Sequence, residues 1–210
     1  MILKTLVVGP IMENTYIIGS EDTLDAAIID PGGDADRVIK EIESLKLNVR
    51  YILNTHGHGD HIGAISALKE HTGASYGIHA SDIGLINRDN SWIAQAISDF
   101  RPPPNPDFHI SDADIIPIGD TNIRVIETPG HTQGGVCYYI ENSVFTGDTL
   151  FHGSIGRSDI PGGDGRQLIQ SITSRLLTLP GDTKVYPGHG DSSTISREKT
   201  TNPFLVGRMI

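Results

Sequence analysis

The sequence predicts an α/β fold in which two β-sheets pack face to face between outer helices. Short apolar strands followed by a helix occur twice along the chain, and candidate metal ligands come directly after strands in both halves. With 210 residues, 37% of them hydrophobic, the chain can build one substantial core. This order fits a four-layer αββα sandwich, although composition alone does not distinguish it from other α/β architectures. We expect one domain over residues 1–210.

The first half combines apolar runs, bounded by Gly, Pro, Glu and Asp, with a helical repeat. Val38, Ile42 and Leu45 lie at helical spacing after the third apolar run. The strand that ends at Thr55 leads into a second helix, whose N-terminus we expect beside the residues that follow the strand. The predicted elements are strands at 6–8, 15–18, 26–29 and 51–55, and helices at 34–45 and 62–70.

The second half repeats this order after a proline-rich segment. Residues 101–106 contain four prolines, and we interpret this short segment as a rigid connector. The other predicted elements are strands at 75–79, 115–118, 123–127, 136–140, 144–146 and 184–186, and helices at 81–87, 91–99 and 167–177.

The charge and cysteine content exclude several classes of function. The formal net charge is −10 and Lys and Arg form no cluster, so we expect no nucleic-acid partner. No segment approaches the ~20 apolar residues of a membrane span, and the N-terminus lacks a signal-peptide pattern, so we expect no membrane partner and a cytoplasmic protein. The single Cys137 cannot form an intrachain disulfide, and its apolar surroundings predict a packing role.

The run His56-Gly-His-Gly-Asp-His61 is the most informative motif, because it places four possible metal ligands within six residues. It directly follows a predicted strand, and its two glycines allow the backbone to bend so that neighbouring side chains converge. Imidazole and carboxylate groups are the ligands that zinc and related transition metals prefer. A solvated histidine patch is the alternative for this motif taken alone.

Three more candidate ligands occur downstream, each beside a glycine and each just after a predicted strand. They are His131, Asp148 and His189. By itself, Asp148 would be interpreted as a turn residue. Taken together, the seven residues predict a metal site built at strand ends.

In these motifs the chain resembles the metallo-β-lactamase superfamily, whose signature is an H-x-H-x-D-H loop followed by a distant His, an Asp and a last His. Within it, the chain is similar to the short bacterial form of the glyoxalase II branch, which lacks the C-terminal glutathione-binding domain. The resemblance covers essentially the whole chain, and it implies the αββα sandwich of the metallo-β-lactamase type. It rests further on the motifs at 29–33, 128–132, 147–151, 153–157 and 187–189.

The resemblance implies a role for each candidate residue. His56, His58 and His131 would bind a first divalent metal ion and Asp60, His61 and His189 a second, while Asp148 would bridge both. Asp60 and Asp148 are thus the implied catalytic carboxylates. Zinc is the expected metal, with iron and manganese as alternatives. Asp30 would either turn the chain or support a ligand from behind.

The resemblance also implies a substrate class, a small-molecule thioester such as a 2-hydroxyacyl-glutathione. A thiolate leaves without a general acid, whereas the nitrogen of a β-lactam must be protonated. Arg157 would bind a substrate carboxylate, unless it only pairs with Asp159 at the surface. Asp159 and the Gly190-Asp191 pair differ from the glutathione-using relatives, so we expect little selectivity for the thiol carrier. The alternative functions are a mononuclear iron persulfide dioxygenase and a non-catalytic metal-binding protein.

Overall fold

A computed structural model describes residues 1–88, 96–97 and 100–207, and it contains two six-stranded sheets. The strands of the first sheet follow one another in chain order. The first three are antiparallel, and the last four run parallel to one another. They are β1 (Ile2–Val8), β2 (Glu13–Gly19), β3 (Asp25–Ile29), β4 (Asn48–Leu53), β5 (Ser75–His79) and β6 (Phe108–Ile110).

The second sheet has the order β14-β13-β10-β9-β8-β7. Its neighbouring strands are antiparallel except for β10 and β13, which are parallel. A small hairpin, β11 (Leu150–Phe151) and β12 (Ser154–Ile155), stands apart. The sheet consists of β7 (Ile115–Ile118), β8 (Thr121–Glu127), β9 (Val136–Ile140), β10 (Ser143–Gly147), β13 (Lys184–Pro187) and β14 (Ser193–Thr194).

Three hydrophobic cores separate the layers. Neighbouring strand residues point to opposite faces, so Ile28 packs in the core beneath the helices of the first half, whereas Ile29 packs between the sheets. Leu168 and Ile172 cover the outer face of the second sheet. The helices are α1 (Ala35–Ser44), α2 (Gly59–Ile62), α3 (Ile65–Thr72), α4 (Ile83–Arg88), α5 (Gly165–Ser171) and α6 (Ile195–Thr201). The predicted αββα sandwich is confirmed.

Two of the predicted helices differ from the structure, and α6 was not predicted. The helix expected at 62–70 is interrupted, because the Ala64 N–H donates a hydrogen bond to the Pro31 carbonyl instead of continuing α2. The helix expected at 167–177 begins earlier, at the Asp164 cap, and α5 continues as a π-helix over Ile172–Leu176. Most of the helix expected at 91–99 lies outside the described residues. No described helix is long and apolar enough to cross a membrane.

Candidate metal centre

The seven candidate ligands meet at one end of the two sheets. His56 and His58 follow β4, and Asp60 and His61 lie in the short helix α2. The other three reach the same place from the second sheet, because His131 lies between β8 and β9, Asp148 follows β10, and His189 follows β13. The site is therefore assembled from both sheets, as ligands at strand ends allow.

The first group contains three histidines. Donor atoms of His56, His58 and His131 all lie within 4.8 Å of one another. The Nε2 atom of His131 faces Nδ1 of His58 at 2.9 Å. Three converging imidazole nitrogens are the protein ligand set of a zinc site that has room for a further ligand.

The second group contains Asp60, His61 and His189, whose donor atoms also lie within 4.8 Å of one another. The Oδ2 atom of Asp60 lies 3.1 Å from Nε2 of His189 and 3.5 Å from Nε2 of His61. The first and second groups thus provide two separate sets of three donors.

Asp148 lies between the two groups, and its two carboxylate oxygens face different sites. Oδ1 is 3.4 Å from Nε2 of His61 and 3.8 Å from Nε2 of His189, both in the second group. Oδ2 is 3.6 Å from Nε2 of His131 in the first group. This is the geometry expected of a bridging carboxylate.

Several ligand atoms in the described part of the chain are buried without a hydrogen-bond partner. They include Nε2 of His56, Nε2 of His61 and Oδ1 of Asp148. Leaving such an atom unpaired costs about 1–3 kcal/mol. Bound metal ions would satisfy them, and imidazole nitrogen and carboxylate oxygen are suitable donors. The site therefore fits two divalent ions.

Hydrogen bonds fix the tautomers of two first-group histidines. Nδ1 of His131 donates to the Arg157 carbonyl at 2.6 Å, which leaves Nε2, 2.9 Å from Nδ1 of His58, as the nitrogen available to a metal. Thr55 donates its hydroxyl proton to Oδ2 of Asp30 at 2.6 Å. Nδ1 of His56, 3.0 Å from the same hydroxyl, must then be the donor, which leaves Nε2 of His56 free. Both free nitrogens belong to the first group.

Asp30 supports the site from behind and also turns the chain. Its Oδ1 accepts from the Thr55 N–H at 2.7 Å, and its Oδ2 lies 3.1 Å from Nδ1 of His61. Its backbone is left-handed, with φ of 49°. Both interpretations of Asp30 therefore describe the structure. Glu13, which the sequence did not suggest, is buried with Oε1 3.8 Å from the same His61 nitrogen.

The two halves of the site differ in their electrostatics. Burial, reinforced by the neighbouring histidines, holds the pKa of His56 and of His58 below the usual range, which favours the neutral, ligating form. Burial opposes a charge on His61 as well, but the carboxylates of Asp60 and Asp148 outweigh it and raise the pKa of His61. The second site is therefore the more negative of the two.

Arg157 lies outside this cluster. Its guanidinium forms a two-point ion pair with Asp159, at 3.0 and 3.3 Å, and its side chain is 73% exposed. Only its backbone carbonyl contacts a candidate ligand, His131. The side chain also lines an open groove of about 740 Å³ with Arg166, Ile169 and Phe204. Cys137 is fully buried, as predicted.

Comparisons with known proteins agree with this architecture. The model of the metallo-β-lactamase superfamily matches residues 8–189. The hydroxyacylglutathione hydrolase GloC of Haemophilus influenzae is 38% identical over 98% of this chain and 98% of its own.

Three solved structures have similar folds. The BLEG-1 B3 metallo-β-lactamase has a TM-score of 0.89 and 36% identity, covering 98% of this chain and 100% of its own. TTHA1623 in a di-iron-bound form has a TM-score of 0.85 and 34% identity, covering 96% and 100%. ETHE1 from Myxococcus xanthus has a TM-score of 0.82 and 32% identity, covering 97% and 84%. With the ligand geometry, these similarities show that the chain belongs to the metallo-β-lactamase superfamily.

Proposed function

We propose that this protein is a metal-dependent hydrolase of small-molecule thioesters. The observation that carries the proposal is the pair of three-donor groups with one oxygen of Asp148 turned towards each. The 38% identity to a hydroxyacylglutathione hydrolase over nearly both full chains supports thioesters as the substrate class. The di-iron-bound relative supports a site for two metals and supports iron as one candidate, beside zinc and manganese, which were considered from the sequence.

The chain's own residues would hold two ions and set their environment. His56, His58 and His131 would hold one ion, Asp60, His61 and His189 the other, and Asp148 both. Two divalent ions so held would supply a water of lowered pKa as nucleophile and would polarise a carbonyl oxygen.

Other features of the site concern the orientation of the ligands, the access of a substrate and the departure of the leaving group. The Arg157 carbonyl and Thr55 fix the orientation of two ligand rings. The centre is partly accessible, since the side chain of His189 is 26% exposed and that of Asp148 14% exposed, although Oδ1 of Asp148 is itself buried. A substrate can therefore approach from the side of these two residues. A thiolate leaves the substrate without protonation, so the site needs no dedicated general acid.

Two relatives define the competing activities. ETHE1 from Myxococcus xanthus is 32% identical to this chain, and the persulfide dioxygenase activity considered from the sequence is the second candidate. BLEG-1 is described as a β-lactamase, so a β-lactam belongs among the test substrates.

A substrate panel tests the proposal. Protein purified without added metal is analysed for zinc, iron and manganese, then assayed with 2-hydroxyacyl thioesters of several thiols, a β-lactam and glutathione persulfide, with an oxygen electrode in the cell. We expect thioester hydrolysis without oxygen uptake, and its reversible loss with a chelator. Oxygen uptake with the persulfide and no thioester turnover would establish the dioxygenase instead. Metal binding without turnover of any substrate would support a non-catalytic protein.

A further inference from the structure

Asp82 is a buried carboxylate that belongs to none of the metal-binding motifs. It ends the 3-10 turn Ala80–Asp82 after β5 and has no exposed surface. Its Oδ2 accepts hydrogen bonds from the Gly57 N–H at 3.0 Å and the Thr132 hydroxyl at 2.7 Å. Its Oδ1 accepts from the Gly134 N–H at 2.7 Å.

All three donors belong to the loops that carry the three-histidine group. Gly57 lies between His56 and His58, and Thr132 directly follows His131. The first loop extends from the first sheet and the second loop from the second sheet. One side chain therefore joins the two backbones on which the first site depends.

The approach of these loops is close enough to require glycine. A Cβ atom at Gly57 would lie 2.9 Å from the Asp82 carbonyl oxygen, and one at Gly134 would lie 2.7 Å from Oδ1 of Asp82. Both distances are shorter than real Cβ contacts. The two loops can therefore approach Asp82 this closely only with glycine at positions 57 and 134.

The second group has a different support. His61 lies against Asp30 and Glu13, and no hydrogen bond to Asp82 from a ligand of this group is found among the described residues. Asp82 therefore contacts the loops of the first group, whereas Asp30 contacts His61 of the second group.

We infer that Asp82 is a positioning residue that sets the spacing of His56, His58 and His131, and thereby the metal affinity of the first site only. The inference rests on the proposed metal centre. Asn fits the same space, but its amide nitrogen would have to face the Gly134 N–H, or the Gly57 N–H and Thr132 hydroxyl, in place of an acceptor. Mutating a residue that orients metal ligands typically lowers metal affinity by about 10- to 100-fold.

The test measures each site separately. His189→Ala weakens the second group, and His131→Ala weakens the first. Asp82→Asn is introduced into each background, and Co²⁺ affinity is measured by competition with a chelator. We expect Asp82→Asn to lower Co²⁺ affinity about 10- to 100-fold in the His189→Ala protein and to change the visible Co²⁺ spectrum. In the His131→Ala protein we expect less than about a 3-fold change.

Two further variants distinguish positioning from a general loss of stability. Thr132→Val removes one of the three hydrogen bonds and should cause a smaller loss at the same site. Glu198→Gln alters another buried carboxylate, which is hydrogen-bonded to none of the ligands, and should lower Tm without changing Co²⁺ affinity. Circular dichroism identifies the folded variants.

The inference is overturned if folded Asp82→Asn protein retains first-site affinity and spectrum, or if both backgrounds lose affinity equally. Intact metal binding without thioester turnover in the wild type would refute the proposed function and leave this inference standing. A wild type that binds no metal would overturn both.

Discussion

Replacing Asp148 by Asn tests whether this carboxylate joins the two candidate metal sites. The substitution preserves the shape of the side chain and removes its negative charge. The charge lies between the sites, since the two oxygens are 3.4 Å from His61 Nε2 and 3.6 Å from His131 Nε2. A ligand of one site alone would affect that site alone, whereas Asp148 should affect both.

The magnitude follows from these distances. If the 3.4 Å between Asp148 Oδ1 and His61 Nε2 is taken as the scale of separation, two opposite unit charges attract by about 5 kcal/mol at an effective dielectric constant of ~20. If the amide dipole and solvent offset half of this attraction, about 2.5 kcal/mol remains, which is roughly two orders of magnitude in affinity. We expect a loss of that order at each site, with hydrolysis nearly abolished.

Competition titrations with a chelator measure both affinities, and His58→Ala is the matched control. His58→Ala should weaken one equivalent of metal and leave the second nearly unchanged. Wild-type affinity for both equivalents in Asp148→Asn would show that Asp148 is a turn residue, as the isolated sequence suggests. Loss of only one equivalent would assign it to a single site.

Three other predictions concern the thiol, a buried acid and the groove. Burial makes the Cys137 thiol inaccessible and raises its pKa to about 12, so the thiol is protonated at pH 8. Iodoacetamide should therefore not label the folded protein. Labelling with loss of activity would contradict this prediction. For Glu198, burial opposes ionisation, but its hydrogen bonds prevail and lower the pKa. The ionised carboxylate should therefore stabilise the folded protein fully above the ordinary pKa of Glu. This stabilisation should be lost as the pH falls through the lower pKa that Glu198 has in the folded protein. Glu198→Gln should therefore lower the free energy of unfolding by about 2 kcal/mol at pH 7 and by little at pH 3, as measured by urea titrations. An equal loss at both pH values would refute the lowered pKa of Glu198. Arg157→Ala should raise KM for carboxylate-bearing thioesters far more than for neutral ones. It should hardly change Tm, because the ion pair between Arg157 and Asp159 is exposed. Equal effects on KM for both substrate classes would show that Arg157 does not bind the substrate.

Much of the site could be predicted because its ligands follow strands directly. A strand ends at a sheet edge, so residues just beyond several strands of packed sheets come together. His131, Asp148 and His189 were all expected on this ground, and the structure brings them to the loop that carries His56 and His58.

Apart from Asp30, the supporting residues could not be predicted, because they depend on contacts between distant segments. Asp82 is 25 residues from Gly57 and 52 from Gly134, and no local pattern marks it as a partner of either. The interruption between α2 and α3 likewise depends on the Pro31 carbonyl in another loop. Helical periodicity describes a segment in isolation, whereas these features depend on what packs against it.

Electron paramagnetic resonance of Mn²⁺ added stepwise to metal-free protein tests the central claim most directly. The account places two ions in adjoining sites that share Asp148, and two-metal sites hold their ions about 3.5–4 Å apart. We predict that a second equivalent binds and couples magnetically to the first, so that the isolated-ion spectrum is replaced by that of a coupled pair. Saturation at one equivalent, or two equivalents with independent spectra, would contradict the account.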